Sequence, residues 1–310
     1  MTEQELQEQR RAKWRVNGSR INTMEDAQAF IEEVGFCLMY PVRPPRPGPT
    51  FIGAIIGGDE GLPLQQQAFS DSRCEKASEL MIRLLRSRSA YESNLFGETP
   101  FLISASVFPF FFAAVSDHNP RQPPKRHGKE KASPLMVDTF QQIQEHGPLN
   151  KRQLRERLGG ALSETAIDRV LHDLWSALKI TRVDYSAESG ASWDVLHRWA
   201  PEAVREGAHL SQGEALSALI SKHVDCFIAV EQSEIEDFFS MIAPRSRIRE
   251  TINALLNARE FHFVSIDGRT LIGGPQFAVQ KTAPNRELRR PPLNQKGPSL
   301  MRRPKRGQDA

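Results

Sequence analysis

The chain has 310 residues, 39% of them hydrophobic, and a formal net charge of +3. That length allows two or three small domains, each with its own core. Its mean hydropathy of −0.47 and the proline that interrupts its longest apolar stretch, Phe108 to Val115, argue against a membrane-spanning helix. The opening MTEQELQEQRRAKWR lacks the apolar core of a secretory signal. Cys37, Cys74 and Cys226 are scattered and odd in number, as expected for reduced thiols in a cytoplasmic protein. No Cys or His pair has zinc-finger spacing, so neither metal nor cofactor is expected.

In chain order, residues 1–20 read as a basic arm, because Arg10, Arg11, Lys13, Arg15 and Arg20 have no acid among them after Glu8. Residues 21–118 read as a mostly helical domain. Thr23 caps a helix that carries Ala27, Phe30, Ile31 and Val34 on one face, and Ala77, Leu80, Met81, Leu84 and Leu85 mark another between Ser70 and Arg88. Between them lie PVRPPRPGP, which blocks helix, and GAIIGGDEG. The latter lacks the Lys-Ser/Thr of a phosphate loop and reads as an ordinary loop. Phe101 to Val115 is too apolar for a surface. Residues 119–133 read as a basic linker, and residues 276–310, rich in Pro, Arg and Lys, as a disordered basic tail. With so many cations in these segments, the remainder of the chain is acidic. Basic arms of this kind suit contact with phosphates.

The stretch 134–205 carries the clearest pattern. A helix from Leu135 to Glu145 stops at Gly147-Pro148, and a short helix capped by Asn150 follows. A third helix opens at Ser163 and buries Ile167, Val170, Leu171, Leu174, Trp175 and Leu178. ITRVDYS and SWDVLHRW then alternate as a hairpin. Three helices and a hairpin in that order make a winged helix. Residues 206–275 repeat the template: an offset of 81 residues carries Leu154 to Ile235, Ile167 to Ile248, Leu171 to Ile252 and Val183 to Val264. The second hairpin turns at Asp267-Gly268. The fold class expected is therefore mainly α with small β-hairpins, an α+β chain with tandem winged helix-turn-helix modules.

Winged helices place their third helix in the major groove and their wing on the backbone. In the second module Arg245, Arg247 and Arg249 crowd the start of that helix, Asn253 lies a turn on, and Arg269 sits at the wing tip. Cations at a helix N-terminus oppose the macrodipole unless an anion is the partner. The first module exposes an acidic third helix, but Lys151, Arg152 and Arg155 precede it. Double-stranded DNA is the expected partner, with Arg43 and Arg46 of the proline loop adding contacts. The more acidic first module suits a protein partner. Pairing of the second-module arginines with Glu231, Glu234, Glu236 and Asp237 is the competing reading.

Three stretches together resemble the YcaQ/AlkZ-type DNA glycosylases: GPLNKRQLRERLGG, SWDVLHRWAPEA, and the early helix followed by VGFCLMYPVRP. The resemblance covers most of residues 21–275 and implies tandem winged helices around duplex DNA, with removal of alkylated or crosslinked bases. It also implies a Gln-apolar-Gln or Gln-apolar-Asp motif after the early helix. Leu38-Met39-Tyr40 stands there instead. Leu38 orients no water, and Tyr40, the one weak catalytic candidate, is a poor base at neutral pH. The expectation is a DNA-binding relative without the usual catalytic groups, with an active glycosylase of variant site and a protein-interaction scaffold as alternatives. Glu32, Glu33, Asp59 and Glu60 are the nearest other carboxylates, on a solvated helix face and a turn.

Overall fold

The computed structural model describes residues 1–17, 20–42, 47–58, 62, 72–96, 100–127, 130–186 and 188–278. Residues 1–278 form one compact unit. The expected tail lies, from Val279 on, outside the described residues. So do Arg43, Arg46, Asp59 and Glu60.

The segment expected as a free basic arm is a helix, α1 (Glu3–Lys13), closed by a capping box between Thr2 and Glu5. Leu6, 1% exposed, is buried with Ile228, Ile266 and Leu271. Arg10 donates to the carbonyl of Phe227 at 2.9 Å, Trp14 Nε1 to that of Cys226 at 3.0 Å, and Lys13 pairs with Asp225 at 2.9 Å. The cations of this segment therefore anchor it to the protein.

α2 (Met24–Val34) is capped by Thr23 and ends at Gly35, whose φ of 79° lets the chain turn into β1 (Phe36–Leu38). α3 (Phe51–Ile56) and α4 (Glu75–Arg86) lead to β2 (Ala90–Ser93) and β3 (Phe101–Ser104), and α5 (Phe108–Val115) follows. The three strands form an antiparallel sheet in the order β1-β3-β2. Periodicity could not reveal this sheet, because every residue in the strands is buried and none alternates with an exposed neighbour.

The segment read as a linker contains a two-strand ladder, β4 (Arg126–His127) with β5 (Glu130–Lys131). It is also tied down. Lys179, 1% exposed, donates to Asp117 and to the carbonyl of Asn119, both at 2.7 Å, and His197 donates to the carbonyl of Pro120 at 2.9 Å.

The first module comprises α6 (Pro134–His146), β6 (Leu149–Asn150), α7 (Lys151–Arg157), α8 (Glu164–Ser176), β7 (Ile180–Ser186) and β8 (Gly190–Val195). A connector follows, α9 (Leu196–Trp199) and α10 (Pro201–His209). The second module comprises α11 (Gln212–Phe227), β9 (Ala229–Val230), α12 (Gln232–Phe239), α13 (Arg245–Asn257), β10 (His262–Ile266) and β11 (Arg269–Gly273). The two sheets have equivalent orders, β6-β8-β7 and β9-β11-β10. Each hairpin thus gains a short strand lying between the module's first and second helices. α8 and α13 are both 13 residues long and start at positions 164 and 245, the offset found in the sequence. The connector packs α10 against α5 so closely that a Cβ on Gly207 would stand 2.6 Å from the carbonyl oxygen of Pro109.

Candidate nucleic-acid interface

A cleft of about 840 Å³ opens between the N-terminal sheet and the first winged helix. The N-terminal side contributes Tyr40 just after β1, Asn94 just after β2, and Pro100 before β3. Backbone hydrogen bonds hold this wall. Met39 N–H donates to the carbonyl of Pro100 at 3.3 Å, and Ile52 N–H to that of Met39 at 3.2 Å. α7 contributes Lys151, Arg152 and Arg155. α8 contributes Glu164, Asp168, His172 and Trp175, and the hairpin Arg182 and Trp193.

Behind the cleft lies a buried ionic network. Glu92, 1% exposed, accepts from Arg182 at 2.5 Å and from the Tyr185 hydroxyl at 2.6 Å. The Arg182 guanidinium lies 4.2 Å from the Trp175 ring centroid and 4.8 Å from that of Trp193, so cation–π attraction adds to the ion pair. Burial works against the charge on Arg182, but Glu92 and Tyr185 outweigh it and hold it cationic. Trp175 Nε1 also donates to the carbonyl of Glu92 at 3.0 Å, which fastens α8 to β2. Arg86 of α4 adds a fork to Asp184 of β7, with bonds of 2.8 and 3.1 Å.

Tyr40 is 4% exposed. Burial, and then the negative charge of Glu92, push its hydroxyl up to about 12. It therefore stays protonated at neutral pH and can donate a hydrogen bond but cannot take a proton. Leu38 and Met39 beside it are buried too. Among the carboxylates of the cleft, Asp168 is held by Lys151 at 2.5 Å and Glu164 by Arg155 at 3.4 Å. Arg152, together with Arg157 on α7 and Arg169 on α8, is exposed and has no carboxylate partner among the described residues.

The second-module cations stand differently. Arg245 bonds Asp237, and Arg249 bonds Glu236 at 2.8 Å. Arg247 bonds Glu250 at 3.2 Å, and Arg269 bonds Glu231 at 2.6 Å and Glu3 of α1 at 3.6 Å. Each is half-exposed or more; Arg245, Arg249 and Arg269 are tied to three of the carboxylates the competing reading named, and Arg247 to Glu250 of its own helix instead. A hydrogen bond from Arg269, and its charge, hold Glu231 below the ordinary carboxylate range. Asn253 is exposed on α13. Among the residues named from the sequence, the structure brings Tyr40, Lys151, Arg152 and Arg155 to one cleft. Arg245, Arg247, Arg249, Asn253 and Arg269 are not part of its lining.

Glu92, Asn94, Trp175 and Arg182 had no local signature. Glu92 and Arg182 are 90 residues apart, in short strands of mixed polarity, so no local spacing joins them. Among the described residues no group of His, Cys, Asp and Glu is arranged to hold a metal, and no helix is long and apolar enough to cross a membrane.

A family model described as "DNA glycosylase AlkZ-like" matches residues 72–291. A solved structure, the Streptomyces sahachiroi DNA glycosylase AlkZ, superposes with a TM-score of 0.59 over 89% of this chain and 70% of that one, at 11% identity. No curated protein matches the chain.

Proposed function

Because the chain belongs to the AlkZ-like DNA glycosylase family, we propose that it binds double-stranded DNA in a DNA-repair setting, with the first winged helix and its cleft as the DNA-facing surface. The observation that carries this reading is Arg152, exposed without a carboxylate partner among the described residues in the lining of an 840 Å³ cleft, with Arg157 and Arg169 likewise unneutralised on the same two helices. Exposed, unneutralised guanidinium groups gain most from replacing counterions on phosphates. Arg245, Arg247, Arg249 and Arg269 of the second module already have carboxylate partners, so a phosphate at those four must compete with them; Arg259, just after α13, is exposed without one among the described residues. The same argument favours DNA over a protein partner at the first module. Arg43 and Arg46 are assigned to the DNA contact on composition alone, and nucleoid association follows from the DNA reading.

In this reading the protein does not hydrolyse glycosidic bonds by the route the family resemblance implies. That route needs polar groups to hold water and to stabilise a sugar cation. Here Leu38 is apolar and Tyr40 is a protonated donor. A second reading, turnover through a variant site, draws on the family match and on Glu164 and Asp168 in the cleft.

Retardation of a labelled duplex across a salt series tests the placement. Arg152→Ala with Arg157→Ala should lower the salt slope by roughly one for each phosphate the variant no longer neutralises. The triple variant Arg245→Ala, Arg247→Ala, Arg249→Ala should change it less. The reverse ranking would move the DNA site to the second module. Incubating alkylated duplex with the protein and counting abasic sites decides between the two readings, since accumulation that disappears in Tyr40→Phe would establish the variant enzyme.

A further inference from the structure

We propose that the outer edge of β10 pairs with β10 of a second copy of this chain, joining two second modules in one sheet. An internal comparison points there. The N-terminal domain has the same element order as the two modules, α2, β1, α3, α4, β2 and β3, and its sheet is ordered β1-β3-β2. β2, β7 and β10 are therefore equivalent strands, and each lies at an edge of its sheet. β2 and β7 pack against each other, with Glu92 on Arg182 between them. β10 is the third of the set, and among the described residues it pairs with β11 alone.

Edge strands invite pairing unless charge, a bulge or a covering element blunts them. β7 has all three. Arg182 and Asp184 stand on it, and a bulge interrupts the ladder between them. β2 and α4 cover it, with Arg86 of α4 on Asp184 at 2.8 Å. The 81-residue offset puts Phe263 in place of Arg182 and Ser265 in place of Asp184. β10 runs from His262 to Ile266 in unbroken register with β11, and Phe263 is 64% exposed. The charges that hold the cover on β7 are gone, so a cover for β10 has to be uncharged at those two positions. A second β10 meets that requirement.

The register also makes the edge self-complementary. Asp267 and Gly268, with φ of 47° and 82°, form the hairpin turn, so Ile266 and Arg269 exchange both backbone hydrogen bonds. Alternation along the ladder gives the same role to Val264 and His262. Phe263 and Ser265 then turn their N–H and C=O groups away from β11, and no other backbone group among the described residues bonds them. A two-fold axis at Val264 sets Phe263 opposite Ser265 of the second copy, and each such pair exchanges both hydrogen bonds. The two three-stranded sheets become one, with the Phe263 rings diagonal neighbours across the axis. An extended peptide of another protein could use the same groups, and it would leave this chain monomeric on its own.

The test is sedimentation velocity of the full chain without DNA, from roughly 1 μM to 1 mM, the affinities a small interface supports. The mass should rise from 35.0 kDa toward twice that value. Phe263→Lys puts a charge on the edge, and Ser265→Pro removes an outward N–H. Each should keep the chain monomeric throughout, and an unchanged urea midpoint shows that the variant folds. Val264→Cys tests the axis. Its sulfurs meet across the two-fold within disulfide reach, and mild oxidation should trap a covalent dimer, since the native cysteines are buried. A mass that stays at one chain up to the highest concentration overturns the proposal and leaves the edge to a foreign peptide. A dimer indifferent to Phe263→Lys and Ser265→Pro places the contact elsewhere and overturns it too. A dimer that Val264→Cys fails to trap overturns the pairing register.

Discussion

The two winged helices share a backbone template and invert its charges. In the first, the cations stand on the second helix, Lys151 and Arg155, and their acids on the third, Asp168 and Glu164. In the second, Glu236 and Asp237 stand on the second helix, and Arg249 and Arg245 on the third. The 81-residue offset places Asp168 over Arg249 and Glu164 over Arg245. An ion pair across these two helices is thus kept while its polarity reverses. Pairs whose cations stand in solvent contribute little to stability, so the template constrains the apolar positions and leaves the sign of the surface free. What differs is the remainder: the first module keeps Arg152, Arg157 and Arg169 exposed without a carboxylate partner among the described residues, against Arg259 in the second. Its Arg182, 20% exposed, pairs with the 1% exposed Glu92 of β2, where Arg249 is 56% exposed in its pair with Glu236.

The largest expected effect separates the buried pair from the exposed ones. Glu92→Ala strands the charge of Arg182 between two indoles and should lower the unfolding free energy by about 3–5 kcal/mol. Asp237→Ala in the second module should leave the denaturant midpoint unchanged. Equal losses would mean that the contrast in burial has no energetic weight.

A second test uses a titratable group that only the second module carries. His223 is 2% exposed among Phe36, Phe227, Phe238 and Phe239. Its equivalent in the first module, 81 residues earlier, is Gln142. Burial, and then the charge of Arg10, push His223 down to about 3 from an ordinary 6.5. The folded protein therefore holds this ring neutral, while the unfolded chain takes up a proton below pH 6.5. The contribution is whole above pH 6.5 and shrinks as pH falls toward 3. The stability lost amounts to roughly 3 kcal/mol by pH 4.5. Urea unfolding at pH 7 and pH 4.5 should show a smaller loss for His223→Phe than for the wild type. Parallel losses would place the acid sensitivity elsewhere.

Two smaller effects sharpen the contrast. Gly207→Ala drives a methyl group into the α5 backbone and should cost about 1–3 kcal/mol by thermal or chemical unfolding. A neutral result would show that the connector yields. Ser163 caps α8 through the Ala166 N–H, whereas the equivalent position before α13 is Pro244, with no side-chain cap. Ser163→Ala should cost about 1 kcal/mol, and Pro244→Ala should show no loss of a cap.

The parts legible in the sequence were those that repeat or announce themselves locally. The caps at Asn150 and Ser163, the stripe from Ile167 to Trp175 and the Asp267-Gly268 turn all act within a few residues. The offset then matched them against a second copy. The N-terminal sheet was hidden because strands buried on both faces show no alternation. α1 was mistaken for an arm because its apolar surface is small: Leu6 alone is buried within it, and charges surround it. At the site, Tyr40 and the α7 cations were legible. For the second-module arginines the sequence offered both a phosphate and the carboxylates before them, and only the fold shows which carboxylate each one meets. Glu92 and Arg182 meet only through the fold, so no spacing rule could join them.

The docking of α1 has a consequence for how the molecule assembles. Arg10 and the Phe227 carbonyl it grips are 217 residues apart, and Leu6 finds its pocket on strands near residue 270. A contact of such range closes late in folding, since the intervening chain must first be ordered or else be brought round at great entropic cost. During synthesis the first helix leaves the ribosome without a surface to rest on and waits for nearly the whole described chain to follow. The second module then closes over it, so α1 docks only once the strands near residue 270 have been made.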